Sequence, residues 1–165
     1  MLKKVISIFL VAILILTTFC ACGNEKSPAD VDNTTETPVQ NISLKDLYDS
    51  CATKMPEMMA LDAEMALDFC GINPEDCVEF YVSICADSLK TDEIWLIKAT
   101  DSDAVNRLSD AANARLQAKA DESITYSPEQ YAVVQKAKIV SSGEYFALIV
   151  SPDVSEIEKI ITEAF

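Results

Sequence analysis

"CVEFYVSICADSLKTDEIWLIKA", residues 77–99, decides the fold. Phe80, Val82, Ile84 and Ala86 fall on one side of an extended chain, and Glu79, Tyr81, Ser83 and Cys85 on the other. That is the period of two that a strand imposes. "DSLKTD" then turns the chain, and "EIWLIKA" returns as a second strand. Beyond it the period changes. From Asp103, the residues Val105, Leu108, Ala112 and Leu116 form a helical stripe, the spacing of one buried helix face. Ser127-Pro128-Glu129-Gln130 reads as a capping-box-like start for a short helix. "AKIV" and "YFALIVS" read as strands around a Ser141-Ser142-Gly143 turn, and Val154, Ile157, Ile161 and Ala164 mark a last amphipathic helix.

Upstream of the opening stretch, Ser43 is an N-cap for "LKDLYDSCATK", whose Leu44, Leu47, Tyr48 and Cys51 share a face. Pro56 interrupts, and "DAEMALDFC" predicts a second helix stopped by Gly71 and Pro74. The expected class is α+β: an antiparallel four-stranded sheet with a β-β-α-β-β-α core, preceded by two short helices. The two helices of the core are expected on one face of the sheet. The first two helices are available for the other, because "YFALIV" is apolar on both sides. "EIWLIKATDSDAVNRLSDAA" also lies without gaps on "YFALIVSPDVSEIEKIITEA", pairing Asp101 with Asp153 and Val105 with Ile157. An internal duplication and the common form of any strand-to-helix joint are both open readings.

The start of the chain has a different character. Lys3 and Lys4 precede an uncharged run from Val5, and Ala21-Cys22-Gly23 follows its end. Positive start, apolar middle and small-residue exit describe an export signal over residues 1–21. A retained membrane helix is the alternative, since 18 uncharged residues from Val5 to Cys22 approach the spanning minimum. The exit resembles a bacterial lipoprotein signal, which implies cleavage between Ala21 and Cys22 and lipid on Cys22. Phe19 and Cys20 depart from the usual residues of that signal. Cys20 itself fits less well as the lipidated residue, because Phe19 would then occupy the small-residue place. A thioether-linked diacylglycerol supplies two chains, enough for stable anchoring. Residues 22–41 then read as the lipidated cysteine and a disordered tether, poor in apolar residues and spanning roughly 20–25 Å. Residues 42–165 are the single folded domain.

Three stretches, "MPEMMALDAEMALDFCGINPEDC", "DEIWLIKA" and "PEQYAVVQKAKIVSSGEYFALIVSPD", together resemble the DUF4358 family. The resemblance implies a small, lipoprotein-like protein on the outer face of the cell membrane of a Gram-positive-type bacterium. It supplies no catalytic residue to carry over. It also implies, as an alternative role, an accessory factor in the acylation of envelope polysaccharide. Relatives often hold tyrosine or another apolar residue where this chain has Cys70 and Cys77.

The remaining constellations are weak. Cys51, Cys70, Cys77 and Cys85 allow two disulfides in three pairings. The places of Cys51 on an apolar helical stripe and of Cys70 in a helix next to Phe69 favour buried or partly buried free thiols. A zinc site lacks both a Cys-x-x-Cys knuckle and any histidine, so no metal is expected. Met55, Met58, Met59 and Met65 invite a Cu(I) reading, against ordinary packing. The acids allow pairs on paper: Asp62 with Glu64, Asp68 with Glu75 or Asp76, and Asp101 with Asp103. "DSDAVN" lacks the glycine and later glutamate of a calcium loop, and Asp101 or Ser102 fits better as a helix cap. Trp95, Tyr81, Tyr126 and Tyr131 are candidates for a ligand surface, with core the plainer place for Trp95.

The formal charge is −14, with 27 acidic and 13 basic residues. Removing residues 1–21 with Lys3 and Lys4 leaves eleven basic residues against the same 27 acids, or −16. Such a charge argues against nucleic acid and anionic polymers as partners and favours neutral or cationic ones. With no histidine and no phosphate-cradling glycine-rich loop, no cofactor and no catalytic residue are assigned, and no ligand-binding residue is identified. The reading is a membrane-anchored, non-enzymatic binding or accessory module. The alternative is a carboxylate-dependent enzyme or accessory factor acting on envelope polysaccharide.

Overall fold

The structure is a computed structural model that describes residues 43–165. The leader over 1–21, Ala21 and Cys22 at the expected cleavage site, and the tether over 22–41 lie outside the described residues. Eleven elements follow in order. They are α1 (Leu44–Ala52), β1 (Met58–Ala60), α2 (Ala63–Cys70), a single 3-10 turn (Pro74–Asp76), β2 (Cys77–Cys85), β3 (Glu93–Ala99), α3 (Ser102–Tyr126), α4 (Pro128–Val134), β4 (Lys138–Ser142), β5 (Tyr145–Val150) and α5 (Val154–Ala164).

The strands form one antiparallel sheet in the order β1-β2-β3-β5-β4. It has five strands, not the expected four. The additional strand is β1, where Met58, Met59 and Ala60 pair with Cys85, Ile84 and Ser83. Three residues are too few to display alternation, so pairing with β2 rather than local sequence makes this segment a strand.

Alternation along β3 builds two cores. Trp95, Ile97 and Ala99 enter one with Val82 of β2, Phe146, Leu148 and Val150 of β5, and Ala104, Leu108 and Ala112 of α3. Ile94 and Leu96 enter the other with Ala147 and Ile149, against Leu44, Leu47 and Cys51 of α1 and Val154, Ile157 and Ile161 of α5. The helices α2, α3 and α4 therefore cover one face, and α1 and α5 the other. This corrects the expectation that both core helices share a face while the first two cover the opposite one. β5 makes the difference: its last residue, Val150, belongs to the α3 side, whereas α5 opens with Val154 on the α1 side. The two aligned stretches thus occupy opposite environments. Val105 packs toward the first core, and its counterpart Ile157 is fully buried in the second.

Local chemistry sets the helix ends. Ser43, Asp62, Asp101 and Ser127 accept from the backbone N–H of Asp46, Met65, Ala104 and Gln130, as N-caps do. Gly71 closes α2 in the left-handed region at φ 71°, where a Cβ is unfavourable. The buried line of α3 runs through Ala104, Leu108 and Ala112. It is centred one residue before the expected Val105, which is half-buried.

Candidate functional site

The site lies at one end of the sheet. There the β2–β3 turn meets the second half of α3, the start of α4, the α1–β1 loop and the start of α5. Two clefts open there, of about 490 and 710 Å³, and Lys90, Asp92 and Gln130 line both. Gln130 holds the turn in place: its Oε1 accepts from Thr91 N at 2.9 Å and from Thr91 Oγ1 at 3.0 Å. The capping box is therefore only half made. Ser127 accepts from Gln130 N at 3.3 Å, while the Gln130 side chain reaches across to the sheet.

Beneath the larger cleft sits Glu93, fully buried. It shares the face of Trp95, whose indole Nε1 donates to Glu93 Oε1 at 2.7 Å. Arg115 Nη2 and Lys119 Nζ approach Glu93 Oε2 at 3.0 and 2.8 Å, and Lys119 also donates to Thr91 O at 3.1 Å. Burial pushes the Glu93 carboxyl up, but Lys119 and Arg115 outweigh it and hold the group below the ordinary glutamate range. The Cys70 thiol donates to Glu93 Oε1 at 3.6 Å. Burial, with the Glu93 charge, pushes that thiol up to about 12. Neither group suits acid–base or nucleophilic work near neutrality, since the acid stays charged and the thiol stays protonated. The cluster fixes the long helix α3 to the central strand.

Asp92 is its opposite. It is 4% exposed, and no lysine or arginine is ion-paired with it among the described residues. Burial pushes its carboxyl above the ordinary aspartate value; its own backbone N–H, Lys90 and Lys119 oppose the shift, and Asp153 adds to it.

The expected candidates do not converge. Trp95 is core; Tyr81 stacks on Tyr48 with ring centroids 5.8 Å apart; Tyr131 packs against the α3 side; and Tyr126 lines the larger cleft. Met55 and Met58 pack on the α5 side, Met65 on the α3 side, and Met59 is exposed, so the thioethers are not gathered. Asp62 and Asp101 are caps, and Asp76 binds Arg107 at 2.6 Å. Glu64, Asp68, Glu75 and Asp103 are exposed. Cys51, Cys70, Cys77 and Cys85 are free thiols. No group of three or more potential ligating side chains is placed to hold a metal ion among the described residues.

Sequence reasoning missed Asp92 and Glu93 as site residues: Asp92 passes for a turn acid at the end of "DSLKTD", and Glu93 for the polar first residue of the strand "EIWLIKA". A signal was present for Glu93. It has the parity of Trp95 and Ile97, and Arg115 and Lys119 are four apart beside the Leu108–Ala112 stripe.

No curated protein and no solved structure matches the chain. Residues 50–151 match the family described as a domain of unknown function, DUF4358, a span that holds all five strands, α2, α3, α4, Asp92 and Glu93, and the chain belongs to that family.

Proposed function

We propose that the protein is a binding or accessory module of the bacterial envelope, held at the outer face of the membrane by lipid on Cys22. The observation that carries the binding role is Asp92: a buried carboxylate on the lining of an open cleft, without a paired cation among the described residues. An unpaired buried charge is costly, and a chain that neutralises Glu93 with two cations leaves Asp92 without one. The formal charge favours a cationic or neutral partner and disfavours nucleic acid. The anchor rests on Ala21-Cys22-Gly23 after an apolar run. Two measurements test the reading. Fatty-acid labelling in cells is lost in Cys22→Ser and kept in Cys20→Ser; the reverse result refutes the assignment. Photo-crosslinkers at Thr53 and Leu89, one in each cleft, capture an envelope component. Absence of capture from both clefts, with capture from distant surfaces, moves binding elsewhere.

A carboxylate-dependent role on envelope polysaccharide is the second reading, because a carboxyl raised by burial is the form a general acid requires. Turnover of purified envelope polymers or acyl donors that Asp92→Asn abolishes, with the fold intact, would replace the binding role with this one.

A further inference from the structure

The smaller cleft has charge at one end and grease along its side. Asp92 stands just before β3 and lines this cleft as well as the larger one, within reach of the Asp153 charge. Asp153 lines the same cleft. It occupies the N-cap place of α5, yet its side chain makes no cap hydrogen bond. Asp101, its counterpart after β3, accepts from Ala104 N at 2.7 Å. Of the basic residues on the lining, Lys54 is paired with Glu156 at 2.7 Å. That leaves Lys90 against Asp92, Glu129 and Asp153, an excess of negative charge. The rest of the lining is polar at Thr53 and Gln130 and apolar at Met55, Pro56, Val133 and Pro152, without an aromatic ring.

We propose that this cleft takes the side chain of a lysine from a partner protein, its ammonium between Asp92 and Asp153 and its alkyl stem along Met55, Pro56, Val133 and Pro152. The inference rests on the binding-module reading and names its ligand chemistry. An ammonium brings three donors and a positive charge, which suits two carboxylates without a paired cation among the described residues. A four-carbon stem lies well against apolar surface while its head stays with polar groups. A hard divalent cation would need six or more oxygen ligands; no cluster of three ligating side chains stands here. An amino sugar would bring hydroxyls rather than methylenes to Met55, Pro56, Val133 and Pro152, so it loses the apolar contact that an alkyl stem makes there.

The test is amide NMR on the full ¹⁵N-labelled chain in nonionic detergent, titrated with Nα-acetyl-lysine methylamide. Saturable shifts are expected at Thr53, Lys54, Thr91, Asp92 and Asp153. The Nε-acetylated compound should leave those amides unmoved. Asp92→Asn and Asp153→Asn should each weaken binding at least tenfold while the spectrum stays dispersed. The proposal falls if no shifts appear, if the acetylated compound shifts the same amides, or if both variants bind as the unaltered chain does. Glucosamine binding as tightly as the lysine probe would overturn the role of the stem. Calcium chloride displacing the lysine probe at equal concentration would reassign the cleft to a metal ion. A partner caught in cells from Leu89, with no lysine binding, would sustain the binding module and end this inference alone.

Discussion

Asp92 and Glu93 are sequence neighbours with opposite fates: Glu93 opens β3 and meets Arg115 and Lys119, while Asp92, just before the strand, has no paired cation among the described residues. For Glu93, burial is outweighed by Lys119 and Arg115, and its carboxyl is held below the ordinary glutamate value of 4.5. Its ionised form therefore stabilises the fold above that pH, and the contribution is lost as pH falls through the folded value. Glu93→Gln leaves Arg115 and Lys119 without their acid and is expected to cost about 3–5 kcal/mol by urea unfolding at neutral pH. The gap from the unaltered chain should narrow on acidification; a neutral substitution, or a gap that widens in acid, would refute the role. Asp92 runs the other way. Burial raises its carboxyl above 3.8, so its charge destabilises the fold above the raised value and ceases to do so below 3.8. Asp92→Asn should raise the melting midpoint at neutral pH, and the gain should disappear toward acid. A lowered midpoint would mean that the carboxylate is held by a partner that stabilises it.

Among the elements, ends were more legible than neighbours. Ser43, Asp62, Asp101 and Ser127 announce their helices because a short polar side chain before an apolar period has one local use, to accept a free N–H of the first turn. β2, β3 and β5 were legible because alternation or a doubly apolar run is written along a single strand. β1 was not, since Met58–Ala60 becomes a strand only through hydrogen bonds to β2. The side on which each helix packs was not legible either, because it depends on how many residues separate the last strand position from the helix. The candidate site suffered the same limit. It combines residues from three loops, α3 and α4, and no local period links Asp92 to Asp153. Gly71 gives the element scale a direct test. Its N–H donates to Leu67 O at 2.9 Å and that of Ile72 to Ala66 O at 3.2 Å, closing α2. A Cβ there would meet nothing within 4 Å, so Gly71→Ala isolates the backbone cost of φ 71°. The expected loss is about 1–2 kcal/mol in denaturant unfolding, and an unchanged midpoint would show that α2 ends otherwise.

At the scale of the whole described fold, the two cores are not independent, because β3 and β5 furnish both. Trp95 and Leu148 face α3 while Ile94 and Ile149 face α5, and these residues alternate on two strands that share one hydrogen-bonded register. Loss of either cover exposes one side of strands that the other side still needs, so partial unfolding leaves a sheet with a bare apolar face. The folded region should therefore unfold in one transition. Leu108→Ala removes a fully buried side chain on one face and Ile157→Ala one on the other; each is expected to cost about 2–5 kcal/mol. The chain has a single tryptophan, Trp95, on the α3 side. Its fluorescence should nonetheless report the Ile157→Ala loss in full, at the same urea midpoint as far-ultraviolet circular dichroism. If Ile157→Ala moves the dichroism midpoint but leaves the Trp95 midpoint in place, α1 and α5 form a separate unit and the sheet does not couple its two faces.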